Sequence, residues 1–116
     1  MELNHLHLSV ADLERSAAFY ERWFGFRRHR VLDGGALLFL RDANDLDLAL
    51  CDEGAERSLP KWFHFGFRLG STAEVRAMHS SMRSAGVAVR DIHEEAGFAT
   101  FRIHDPDGYA IEVYWE

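Results

Sequence analysis

His104-Asp105-Pro106-Asp107-Gly108-Tyr109-Ala110-Ile111-Glu112-Val113-Tyr114-Trp115 holds a turn, a strand and one out-of-place charge. Asp105 to Gly108 reads as a tight turn. Pro106 pre-sets φ at the first central position, and Gly108 supplies a positive φ that other residues resist. The strand after it alternates, with Tyr109, Ile111, Val113 and Trp115 on one face and Ala110, Glu112 and Tyr114 on the other. The first face is apolar and belongs to a core. A carboxylate between Ile111 and Val113 is costly unless it is exposed, paired or bound to a metal.

Working outward, the N-terminal Leu3 to Val10 alternates in the same way, with Leu6, Leu8 and Val10 inward and His5, His7 and Ser9 on the opposite face. Asp12 is placed to cap a helix running to about Phe24, whose apolar stripe is Leu13, Ala17, Tyr20 and Phe24, and Gly25 ends it. Strands are expected at Phe26 to Leu32, Ala36 to Arg41 and Leu46 to Cys51. The pattern then restarts. Trp62 to Leu69 alternates, with Phe63, Phe65 and Phe67 inward and His64, Gly66 and Arg68 outward. Ser71 and Glu74 form a capping box, and Val75, Met78, Met82 and Ala85 make one helix side, closed by Gly86. Further strands are expected near Ala88 to Ile92, at Phe98 to His104 and at Tyr109 to Trp115.

The chain is thus two copies of strand, helix and three strands. His5 falls on His64, Gly25 on Gly86 and Asp42 on Asp105. This predicts an α+β fold, two tandem βαβββ modules forming a half-open sheet barrel around a pocket. Module one covers about residues 1–53, a linker 54–61, and module two 62–116.

Composition limits the functions on offer. The 116 residues suit one compact domain, 47% hydrophobic and 28% charged. A formal charge of −6 disfavours nucleic acid and anionic membranes as partners. One cysteine, Cys51, rules out an intramolecular disulfide and a multi-thiolate cluster. No apolar run has the length of a membrane span, and the start lacks a signal peptide's pattern, so a cytoplasmic protein is expected.

The repeat gives the polar residues a meaning. His5 and His64 take the same place in the first strand of each copy, pointing away from the helix, as does Glu112 on the last strand. Two imidazoles and a carboxylate from three strands match a facial triad with open coordination positions. The expected cofactor is a divalent metal ion, Fe, Mn, Ni, Zn or Co, held by His5, His64 and Glu112.

The runs Asn4 to Val10, Asp12 to Ser16, Phe19-Tyr20, Phe24 to Phe26, Phe63 to Phe67 and Asp105 to Glu112 together resemble the vicinal-oxygen-chelate superfamily. That superfamily includes glyoxalase I, bleomycin-resistance proteins, fosfomycin-resistance thiol transferases and extradiol dioxygenases, and the resemblance spans the chain. It implies a metal that chelates substrate oxygens, with its ligand positions falling on His5, His64 and Glu112. It also implies a small-molecule substrate and a homodimer. The fourth ligand expected of glyoxalase I falls by the repeat on Ala49, with Asp47 one pleat away, so the four-ligand pattern is not met. The three-ligand pattern is similar to that of the fosfomycin enzymes and dioxygenases, without matching one branch.

Around the triad, His7 is a candidate general acid-base. Arg102 is placed to bind an anionic substrate group, and Tyr114 to donate a hydrogen bond to a bound oxygen. Leu37, Phe39, Asp47 and Thr100 are candidate pocket residues, while Arg68 is expected in a surface salt bridge and His79 in solvent. Three activities stay open: lyase, isomerase or transferase chemistry with a Lewis-acid metal, an Fe(II) dioxygenase, and a metal-free drug- or metabolite-binding protein.

Overall fold

Each half of the chain opens with a short strand that pairs parallel to the last strand of the same half, and everything else in the sheet runs antiparallel. The structure is a computed structural model describing residues 1–53 and 59–116. Most of the expected linker, residues 54–58, lies outside the described residues. The chain forms two compact units, Met1–Ser58 and Leu59–Glu116.

In the first unit β1 (His5–Ser9) leads to α1 (Leu13–Phe24), β2 (Arg27–Leu32), a single 3-10 turn (Asp33–Gly35), β3 (Leu37–Arg41) and β4 (Asp47–Cys51). The sheet order is β1-β4-β3-β2. The Asp12 side chain accepts the Arg15 N–H at 3.0 Å, satisfying a donor at the helix start that has no partner within the helix. At the other end Gly25 sits at φ 69° and returns its N–H to the Tyr20 carbonyl. Tyr20 and Ala17 are fully buried, as are Val10, Leu40 and Leu50. The apolar alternation of β3 and β4 therefore faces the helix, leaving His5, His7, Leu37, Phe39, Asp47 and Ala49 on the opposite face.

The second unit repeats the plan with β5 (Phe65–Arg68), α2 (Thr72–Ser84), β6 (His93–Glu95), β7 (Phe98–His104) and β8 (Ala110–Trp115), in the order β5-β8-β7-β6. Ser71 accepts the Glu74 N–H at 3.2 Å, while Glu74 reaches past the cap residue to the Gly70 N–H at 2.9 Å. Val75 and Met82 are completely buried, with Phe101, Ile103, Ile111 and Val113 on the sheet side. The Asp105–Gly108 turn is held by Asp105, whose own N–H donates to the Tyr109 carbonyl at 3.0 Å. Its carbonyl accepts the Gly108 N–H, and its carboxylate Oδ1 accepts those of Asp107 and Tyr109.

Three local expectations are corrected. Residues 88–92 make only a bridge from Val89 to Ile103, and the second strand of the second unit is instead the polar, exposed β6. Phe63 lies before β5 and is 36% exposed, because the Pro60–Phe63 turn (Phe63 N–H to the Pro60 carbonyl, 2.9 Å) lifts it off the sheet. His79 is half-buried, edge-on to Phe101 with its Nε2 on the Arg90 carbonyl. The register supports the internal repeat. Ala49 stands beside His7 in the first sheet and Glu112 beside Gly66 in the second, so Ala49 occupies the place of Glu112.

Candidate metal centre

His64 directly precedes β5, and the turn that exposes Phe63 also fixes its ring. The ring Nδ1 lies 3.0 Å from the Trp62 carbonyl, which can only accept, so Nδ1 carries a hydrogen. The other ring nitrogen, Nε2, meets Glu112 Oε2 at 3.2 Å, a hydrogen bond when Nε2 also carries a hydrogen. Two acceptors held this close are favourable only with a proton or a cation between them. The other Glu112 oxygen, Oε1, accepts the Thr100 hydroxyl at 2.8 Å. Each side chain is thus gripped on its far side and turns its remaining ligand atom toward the other, the arrangement that outer hydrogen bonds give metal ligands.

The spacing fits an ion. Bonds of the length usual for zinc to imidazole and carboxylate, opened by 90 to 110°, set N and O about 2.9 to 3.4 Å apart. Gly66 leaves room beside the carboxylate: a Cβ there would come within 3.2 Å of the Glu112 carbonyl and 3.6 Å of its Cβ.

Glu112 and Thr100 open onto a cavity of about 480 Å³ in the second unit. Its rim is basic, with Lys61, Arg90, Arg102 and His104 set against Asp91. Among the described residues the side chains of Lys61, Arg90 and Arg102 make no ion pair. Arg102 stands directly opposite Glu112 on the neighbouring strand. Tyr114 is half-buried on the same face as Glu112, its ring edge against Gly66. Arg68, expected in a salt bridge, stacks instead over Trp115 at 5.3 Å.

The first unit has a cavity of about 330 Å³ lined by His5, His7, Leu37, Phe39 and Asp47 among others. His5 is exposed, and its Nδ1 lies 3.0 Å from the Asn4 side-chain oxygen, so it too offers Nε2. Arg30, expected on a solvated strand face, covers the Phe39 ring at 4.1 Å. Asp47 is held by Arg41 through bonds of 2.7 and 2.9 Å. These hold its carboxyl below the ordinary carboxylate range and commit it to the sheet. His7 meets Cys51, its Nε2 lying 2.9 Å from Sγ. The structure therefore gathers His64, Glu112, Thr100 and Arg102 in the second unit, and His5, His7, Leu37, Phe39 and Asp47 in the first. Lys61, Arg90 and His104 were not anticipated. For His104 the alternation Thr100, Arg102, His104 along β7 was a usable signal.

The chain is a twice-repeated βαβββ unit whose second copy carries a tethered imidazole–carboxylate pair. The chain belongs to the Glyoxalase/Bleomycin resistance protein/Dioxygenase superfamily, whose family model matches residues 2–113. It is 31% identical over 120 residues to the metallothiol transferase FosB of Lysinibacillus sphaericus, covering 97% of this chain and 80% of that one. It is also 31% identical over 121 residues to a trivalent organoarsenical cleaving enzyme of a Bacillus species, covering 99% and 73%. Among solved structures, a possible glyoxalase from Bacillus cereus superposes with a TM-score of 0.85 at 33% identity, covering 97% of both chains. The curated relatives are enzymes.

Proposed function

We propose that this protein is a metal-dependent transferase acting on a small, oxygen-rich anion, with His5, His64 and Glu112 as the metal ligands. The observation that carries the reading is the 3.2 Å approach of His64 Nε2 to Glu112 Oε2, each side chain secured from behind. The relative named as a metallothiol transferase supports transfer chemistry over isomerisation. So does Ala49 in the place of Glu112 in the first module, which leaves no fourth carboxylate of that kind.

A bound divalent ion supplies Lewis-acid polarisation of a substrate oxygen. The protein's own groups do the rest. Arg102, with Lys61 and Arg90 behind it, seats the anionic group through charge-assisted hydrogen bonds. The Tyr114 hydroxyl donates a hydrogen bond to a substrate oxygen. Leu37 and Phe39 give the first unit's cavity its apolar wall. The protein acts as a homodimer.

Elemental analysis of tag-free protein tests this, alongside His5→Ala, His64→Ala and Glu112→Ala and a thiol-consumption assay with small anionic electrophiles. Stoichiometric metal lost in each variant together with thiol transfer by the wild type supports the reading. Wild type that takes up no metal on reconstitution overturns it.

A further inference from the structure

The first unit holds a second cluster of ligand-type side chains that the metal centre above does not use. Cys51 is the last residue of β4, and parallel pairing sets it opposite Ser9, two pairs along from His7 and Ala49 and so on the same face. Its thiol is therefore on the cavity face of the sheet, opposite the helix-covered face, yet the residue is only 7% exposed. The His7 imidazole leans along the strand until its Nε2 touches Sγ at 2.9 Å. Glu53, two residues after Cys51 and exposed, brings a carboxylate oxygen to the same place. The three ligand atoms lie within 4.8 Å of one another.

We propose that His7, Cys51 and Glu53 form a second metal site, selective for a soft or borderline divalent cation of the zinc type. One thiolate, one imidazole nitrogen and one carboxylate are the three donors zinc accepts, and three protein ligands leave a fourth position for water. The thiolate distinguishes this site from the nitrogen–oxygen pair of His64 and Glu112, since sulfur favours zinc, cadmium and cobalt over magnesium or manganese. Binding releases the Cys51 thiol proton to solvent and converts the imidazole–thiol contact into two bonds to one ion. Because Glu53 lies beyond β4 while His7 is on β1, the ion ties the chain leaving the sheet to the strand beside it.

The experiment is a Co(II) titration of reduced protein, read by thiolate-to-cobalt charge-transfer absorption. Cys51 is the only cysteine, so any such band reports this site alone. His64→Ala serves as a second background, clearing the centre proposed above. The expected result is a band that saturates at one equivalent in both proteins and is displaced by zinc. It vanishes in Cys51→Ser and weakens by about tenfold or more in Glu53→Gln. Glu53 is exposed, so that variant keeps its fold even if loss of the buried thiol unsettles the sheet. Absence of the band in wild type overturns the site. So does a band lost in His64→Ala, or one with unchanged affinity in Glu53→Gln. Loss of metal in the His64→Ala protein with the band intact would touch only the first centre.

Discussion

Thr100 shows how much a metal centre depends on a residue that never meets the ion. Its hydroxyl holds Glu112 Oε1 at 2.8 Å, which fixes the carboxylate plane and leaves Oε2 turned to His64. Thr100→Val keeps the shape and removes the bond. The expected outcome is a 10- to 100-fold loss of metal affinity, about what outer-ligand changes cost elsewhere. Thermal stability should barely move, and competition against a calibrated chelator measures the loss. Gly66 acts from the other side. In Gly66→Ala a methyl arrives 3.2 Å from the Glu112 carbonyl, a backbone atom that shifts only with its strand. The variant should lose about 1 to 3 kcal/mol of stability by overpacking and bind metal more weakly, seen by denaturant melts and the same chelator assay.

At the scale of elements, the turn and the strand clamps each have one residue on which they depend. Asp105, 5% exposed, takes two backbone N–H groups on one oxygen. Asp105→Ala leaves buried donors unsatisfied and should cost about 1 to 3 kcal/mol, measured as a lowered denaturant midpoint. In the first unit, Arg41 lowers the Asp47 pKa chiefly by hydrogen bonding. Since the folded value lies below the unfolded one, about 3.9, the clamp's contribution is complete above that pH. It is lost as pH falls through the lower folded value. Asp47→Asn should therefore flatten the acid limb of the stability curve below about pH 4 and leave neutral-pH metal binding unchanged. The elements themselves were largely legible, because α1, α2, β3, β7 and β8 each bury one face and print that burial as periodicity. β6 was not: His93-Glu94-Glu95 is an exposed edge without an apolar face, while the 88–92 stretch mimicked a strand it does not form. The site was legible in the same measure. Alternation put Glu112, Thr100 and Arg102 on one face, but it could not show that His7 reaches a thiol 44 positions away, a contact set by strand order.

For the molecule as a whole, the puzzle is electrostatic. The chain carries a formal charge of −6, yet Lys61, Arg90, Arg102 and His104 gather around the cavity beside Glu112. A net negative protein repels small anions at long range, so only this local concentration of cations can hold one. Such an open cavity feels ionic strength, because charges farther apart than about 8 Å are screened at physiological salt. Binding of inorganic phosphate should therefore weaken steadily as sodium chloride is raised. Arg102→Gln removes one charge-assisted contact worth about 1.5 to 3 kcal/mol, which is roughly a 10- to 150-fold rise in Kd. Arg102→Lys keeps the charge but gives up the paired donors, and should recover only part of that loss. Calorimetric titration of phosphate into the metal-loaded wild type and both variants, at two salt concentrations, reads all of these together. If the Kd is the same for the three proteins, the anion does not sit on Arg102. If it is also indifferent to salt, the basic rim plays no part in drawing it in.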